Sequence, residues 1–197
     1  SPDGKSIAFL RIPNFRELAL FGPKRSAVPW SIRVAEAAGG QGREIWRANP
    51  GRGSVFRAIS AESQLFWAQG DRIVFPWEGD GWTHFYSVPA AGGEALPLTP
   101  GPFEVEYAAL HPDGKTVVYA SNQDDIDRRH LWRVEAAGGA PERLTRGDGI
   151  EWSPVVTAGA VAFLGATAQE PGRPFVLAGG KRIDVAPASL GEGFPRD

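Results

Sequence analysis

Apolar and polar positions alternate along this chain in short runs, and the alternation restarts at intervals. Ile7-Ala8-Phe9, Ile73-Val74-Phe75, Val117-Val118-Tyr119 and Val161-Ala162-Phe163 are runs of strand length rich in β-branched and aromatic residues. Each follows a turn: Pro2-Asp3-Gly4-Lys5, Gln69-Gly70-Asp71-Arg72, Pro112-Asp113-Gly114-Lys115 and Ala158-Gly159. The run starts recur every 44 residues from Ile73 through Val117 to Val161. A second family of runs precedes Gly-Gly: Ile32-Arg33-Val34 before Gly39-Gly40, Phe85-Tyr86-Ser87-Val88 before Gly92-Gly93, Leu131-Trp132-Arg133-Val134 before Gly138-Gly139, and Val176-Leu177 before Gly179-Gly180. The two families interleave, and no stretch sustains a 3.6-residue period.

Each unit therefore reads as strand, Asp-Gly turn, strand, loop, strand, Gly-Gly turn, strand, which is a four-stranded antiparallel meander. Asp-Gly suits a tight hairpin because Gly takes positive φ without a Cβ clash and Asp bonds the turn backbone. Four short strands per unit at this period are the signature of a β-propeller blade. The expected fold is all-β: a propeller segment of about four blades spanning 1–185, with blades near 1–58, 64–99, 103–145 and 150–185 and a linker or tail over 186–197. Strands are predicted near 6–10, 31–36, 72–77, 84–89, 116–121, 131–136 and 160–164. The first blade lacks its first strand and carries an insertion between Leu10 and Ser31. An incomplete blade, in a chain without methionine, reads as part of a longer propeller. Its exposed blade edges favour self-association.

Composition removes several functions. A net charge of −2, from 21 Lys+Arg against 23 Asp+Glu, provides no basic patch for nucleic acid. The absence of cysteine excludes disulfides, thiolate metal sites and a cysteine nucleophile, and leaves the compartment open. The longest uncharged run, Trp152 to Gln169, is broken by Pro154, Gly159 and Gly165, so no membrane span is expected.

Candidate chemistry is sparse. His84, His111 and His130 form no metal-ligand spacing, and His84 reads as a sheet-packing residue. Asp124, Asp125 and Asp127 could offer oxygen ligands to calcium, but Arg128 and Arg129 follow at once and favour a salt-bridged loop. Glu104 and Glu106 share a strand face without a neighbouring nucleophile. The tryptophans fall in or beside strands, as packing residues do. No catalytic, cofactor-binding or metal residue is assigned. The insertion alone exceeds what a blade needs, and its Arg11, Arg16, Glu17, Lys24 and Arg25 are the candidate contacts to substrate or to a neighbouring domain.

The Ser1-Pro2-Asp3-Gly4-Lys5 and His111-Pro112-Asp113-Gly114-Lys115 repeats resemble those of the Tol-Pal propeller protein and of prolyl oligopeptidase-type peptidases. More particular is Glu78-Gly79-Asp80-Gly81-Trp82-Thr83-His84-Phe85-Tyr86, then Leu98-Thr99, Ser121-Asn122-Gln123-Asp124, Arg128-Arg129-His130-Leu131-Trp132-Arg133-Val134, Gly138-Gly139 and Arg143-Leu144-Thr145. Over roughly 67 to 147 this resembles the N-terminal propeller of dipeptidyl peptidase IV-like serine peptidases. The resemblance implies a propeller over an α/β-hydrolase domain, gating peptide access to a catalytic serine, aspartate and histidine outside this chain. In the dipeptidyl branch, propeller acidic residues also hold the substrate's amino terminus. The chain departs from that pattern: it has no Gly-x-Ser-x-Gly elbow, Pro187 standing where Ser189 would need the first glycine, and no adjacent Glu-Glu pair. A non-enzymatic scaffold like the Tol-Pal propeller, binding a protein partner, remains the alternative.

Overall fold

The computed structural model describes residues 1–13, 28–187, 191 and 194, and its regular elements are all strands. The first sheet is β1 (Ser6–Arg11), β2 (Ser31–Glu36) and β3 (Arg43–Arg47), in that spatial order. After it comes β4 (Ser60–Ala61), a two-residue strand. The second sheet is β5 (Phe66–Ala68), β6 (Arg72–Trp77), β7 (His84–Pro89) and β8 (Leu96–Pro97). The third is β9 (Val105–Leu110), β10 (Thr116–Ser121), β11 (His130–Glu135) and β12 (Glu142–Arg143). The fourth is β13 (Ile150–Val156), β14 (Ala160–Ala166), β15 (Arg173–Ala178) and β16 (Lys181–Asp184). Each is built on an antiparallel meander in chain order, of three strands in the first sheet and four in the others, with β4 added to the third. This is the all-β propeller segment, with an incomplete first blade, that the repeats imply.

Turn chemistry explains the hairpins. Gly4 and Gly114 sit at φ +70° and +68°, where a side chain would be strained. In the β9–β10 turn Asp113 accepts the N–H groups of Lys115 and Thr116 at 2.6 and 3.0 Å. In the three-residue β5–β6 loop Gly70 and Asp71 both have positive φ, closing the hairpin between Ala68 and Arg72. The β13–β14 turn lacks the aspartate, and Thr157 replaces it: its N–H donates to the Ala160 carbonyl at 2.9 Å and its hydroxyl accepts from the Ala160 amide at 3.1 Å. One sequence signature thus hides two solutions.

One strand was not foreseen. β4 joins the third sheet as a fifth strand, parallel to β9, with Ser60 opposite Tyr107 and Ala61 opposite Ala108. Two residues are too few to carry an alternation.

The chain folds as two compact units. The first comprises Ser1–Ala58, Ser63–Pro100 and Ala136–Gly138, and contains the first two sheets. Its core is Trp30, Ile32, Ile45, Ala48, Ile73, Phe75, Val88 and Ala90. Aromatic rings fill the space between the sheets: Trp30 lies 4.9 Å from Trp46 between centroids, and Trp46 lies 4.6 Å from Phe75 and 5.0 Å from Trp77. The indole N–H groups of Trp30 and Trp77 both donate to the Gly53 carbonyl at 3.0 Å. The tryptophans are packing residues here, as their strand positions suggest.

The second unit comprises Ile59–Glu62, Gly101–Glu135 and Gly139–Asp197, with the third and fourth sheets. Ala120, Leu131, Phe163 and Phe175 form its core cluster. No helix among the described residues is long and apolar enough to cross a membrane.

Candidate functional site

The most tightly built polar arrangement lies in the second unit, where the third and fourth sheets meet. β11 opens with His130, and β13 carries Glu151 as its second residue; both side chains are fully buried. His130 Nδ1 stands 2.7 Å from Glu151 Oε2. A carboxylate only accepts, so Nδ1 carries the proton and donates. The Thr145 hydroxyl also donates to Oε2, at 2.9 Å, while accepting the Leu131 amide N–H at 2.9 Å. Arg182, from β16, donates to Oε1 at 2.8 Å. Its guanidinium carbon lies 3.9 Å from the centre of the Phe175 ring. The Glu151 amide donates to the Arg129 carbonyl at 2.8 Å. Two strands and one loop therefore converge on a carboxylate carried by a third strand. Charge-assisted bonds of this kind are about twice as strong as neutral ones.

His130 and Glu151 have the pairing of a base and its orienting carboxylate, but they are not built for acyl transfer. The nearby hydroxyl, Thr145, gives its proton to the carboxylate and not to the imidazole, and the other ring nitrogen, Nε2, is buried without a hydrogen-bond partner. A nucleophile must instead bond the base. The arrangement is a staple that positions one sheet against the next. The first unit repeats half of it: the Phe85 amide N–H donates to the Thr99 hydroxyl at 2.9 Å, with His84 buried just before Phe85.

The residues singled out in the sequence are dispersed. Arg11 is the exposed last residue of β1, opposite Ser31. Arg16, Glu17, Lys24 and Arg25 lie outside the described residues, as does most of the tail. His84 Nε2 is 3.5 Å from Asp80 Oδ2, and His111 Nδ1 accepts the Asp113 N–H at 3.1 Å within a turn. Glu106 is paired with Arg129 at 3.0 Å, whereas Glu104 bonds through its backbone, its amide donating to Asn122 Oδ1 at 2.8 Å and its carbonyl accepting the Ser121 hydroxyl at 2.7 Å. Asp125 accepts from Arg128 at 3.0 Å and from the Asp127 amide at 3.1 Å. The Arg128 bond, helped by the Asp127 amide, holds the Asp125 carboxyl below its usual range and outweighs the opposing effect of burial. The loop is thus salt-bridged.

Residues 57–174, more than half of the chain, match the model of the dipeptidyl peptidase IV N-terminal region. The chain belongs to that family. Within this dipeptidyl peptidase IV N-terminal family it is 40% identical over 55 residues to a protein of Aspergillus flavus named probable dipeptidyl peptidase 4; that stretch is 27% of this chain and 7% of the relative. Among solved structures, dipeptidyl peptidase 4 of Porphyromonas gingivalis is similar with a TM-score of 0.61 and 17% identity, over 80% of this chain and 22% of that one. A TolB structure from Agrobacterium tumefaciens reaches a TM-score of 0.62 and 19% identity, over 93% of this chain and 62% of that one. At such identities the structures share the fold. This chain spans only a part of each relative.

Proposed function

We propose that this chain is the non-catalytic propeller portion of a prolyl oligopeptidase-type serine peptidase of the dipeptidyl peptidase IV kind. In this reading it gates the access of peptides to a separate α/β-hydrolase domain of the same parent polypeptide. The observation that carries the reading is the family match over 57–174. The chemistry is consistent with it: the His130 imidazole is committed to Glu151, His84 is buried, and His111 closes a turn.

The insertion after Arg11 is the part of this reading that touches the neighbouring domain or the incoming peptide, through Arg11, Arg16, Glu17, Lys24 and Arg25. The experiment compares kcat/KM for a dipeptidyl nitroanilide with that for a long proline-containing peptide, using the parent protein with and without residues 14–27. Gating through this segment requires the ratio to shift towards the long peptide on deletion. An unchanged ratio would contradict it. The TolB likeness supports a second reading, a scaffold that holds a protein partner, and a parent protein devoid of peptidase turnover would favour that one.

A further inference from the structure

Asp-Gly occurs four times in the chain, at Asp3, Asp80, Asp113 and Asp148. Glycine leaves its own amide nitrogen unhindered, so that nitrogen can attack the carboxyl carbon of the preceding aspartate wherever both groups are free to approach. Three of the four pairs are held by turn bonds. Asp3 accepts the Lys5 amide at 3.1 Å, Asp80 the Trp82 amide at 3.1 Å, and Asp113 the Lys115 and Thr116 amides at 2.6 and 3.0 Å. Such Asx turns carry the carboxyl past the next residue to the one beyond. The Gly4 and Gly114 N–H groups are themselves engaged, by the Ser1 and His111 carbonyls at 3.0 and 2.8 Å. The fourth pair has neither restraint. The Asp148 side chain is 98% exposed, and the Arg128 guanidinium, its ionic partner, is 3.8 Å away, beyond hydrogen-bond reach. The Gly149 N–H donates no hydrogen bond among the described residues. Both residues lie in the link between β12 and β13.

We propose that Asp148-Gly149 is a site of spontaneous isoaspartate formation, and that the modified link loosens the staple at Glu151. The Gly149 nitrogen attacks Cγ of the Asp148 carboxylic acid. An N–Cγ bond forms, a Cγ–O bond breaks, and the amide proton leaves with the carboxyl hydroxyl as water, giving a five-membered succinimide. Water then adds to either ring carbonyl. Opening at Cγ restores aspartate; opening at the main-chain carbonyl leaves the backbone running through Cβ and Cγ, with the α-carboxylate pendant. Nothing is oxidised or reduced. The new linkage lengthens the backbone by one methylene between Asp148 and Gly149. Gly149 is packed against the Ala166 carbonyl oxygen, which lies 2.4 Å from where a Cβ would stand, so the added length is passed on towards Ile150 and Glu151. There it acts on the Glu151 amide, which bonds the Arg129 carbonyl, and on the carboxylate that receives His130, Thr145 and Arg182.

Prolonged incubation of the protein at neutral pH, followed by peptide mapping and by methyl transfer from S-adenosylmethionine with an isoaspartyl methyltransferase, locates the product. Isoaspartate from Asp148 is expected to exceed that from Asp3, Asp80 or Asp113 at least roughly tenfold, the factor for a reaction that need not first break a charge-assisted hydrogen bond. In concentrated urea, where the turns are gone, the four pairs should react at similar rates. Asp148→Glu keeps the charge but would need a six-membered ring to cyclise, and should remove the signal. The isoaspartate fraction, separated by chromatography, should unfold at a lower urea midpoint than the unmodified fraction. Equal yields at the four sites of the folded protein, or an excess at another site, overturn the proposal. So does a folded protein that stays free of isoaspartate while the sample in urea accumulates it. An unchanged midpoint in the modified fraction overturns the link to the Glu151 staple.

Discussion

His130 of β11 and Glu151 of β13 share a 2.7 Å hydrogen bond with neither side chain accessible to solvent. Glu151 also serves Thr145 and Arg182, so its removal strands three donors at once. Breaking a buried charged pair from one side costs about 3–5 kcal/mol. Glu151→Ala is expected to fall in that range by urea denaturation, and Glu151→Gln to cost less because an amide oxygen still accepts. Loss of under about 1 kcal/mol in the alanine variant would show that the staple does not hold the two sheets.

The threonines that accept the strand amides are separable from the charge. Thr145→Val and Thr99→Val keep the side-chain shape and leave the N–H of Leu131 or Phe85 buried without its acceptor. An unsatisfied buried donor costs about 1–3 kcal/mol. Thr145→Val is expected to cost more than Thr99→Val, since its hydroxyl also donates to Glu151. Equal losses in paired denaturation curves would mean that this extra bond contributes nothing.

Gly53 has no room for a side chain. Its φ is +72°, and a Cβ would lie 2.5 Å from Trp77 Nε1 and 2.8 Å from the Glu78 carbonyl oxygen. Gly53→Ala is expected to destabilise the first unit by more than about 2 kcal/mol, combining strain with displacement of the two indoles bound to the Gly53 carbonyl. A shifted tryptophan emission spectrum should accompany the loss. Wild-type stability and emission would show that the loop relaxes freely.

Asp113 gives the clearest dependence on pH. Burial works to raise its carboxyl, but the amides of Lys115 and Thr116, the Thr116 hydroxyl and His111 together hold it below the ordinary range. A depressed carboxyl contributes stability that is present above its unfolded value, about 3.9, and is lost as pH falls through the lower native value. Asp113→Asn should therefore lower stability at pH 7, where that contribution is fully present, and flatten the acid limb below about pH 4, where the wild type loses it. The side chain is 37% exposed, so solvent screening keeps the effect below about 1 kcal/mol. An acid limb unchanged in the variant would refute the assignment.

Much of the fold was legible because its turns are chemically marked. Expected strands at 31–36, 72–77, 84–89 and 116–121 coincide with β2, β6, β7 and β10, each bounded by glycine, proline or aspartate turns. β8 and β12 have two residues each and β4 pairs in parallel, so alternation could not reveal them. Glu151 went unrecognised because a single glutamate at a strand start has the signature of a solvated end. One signal was available: His84-Phe85 and His130-Leu131 are each followed by a threonine, Thr99 and Thr145, 14 residues beyond the second member. That recurrence marks a buried polar seam, though the partner carboxylate belongs to the next sheet and needs the fold to be found. The contact residues of the insertion rest on length and charge alone.

Separation of the propeller from the catalytic chemistry is the central expectation for this protein. Residues Ser1–Asp197, purified alone, should be incubated with dipeptidyl and internal-proline chromogenic peptides. No turnover above buffer is expected, since catalysis needs a serine bonded to its base and donors aimed at the oxyanion. Turnover that survives repurification and disappears in one Ser→Ala variant of this chain would contradict the account.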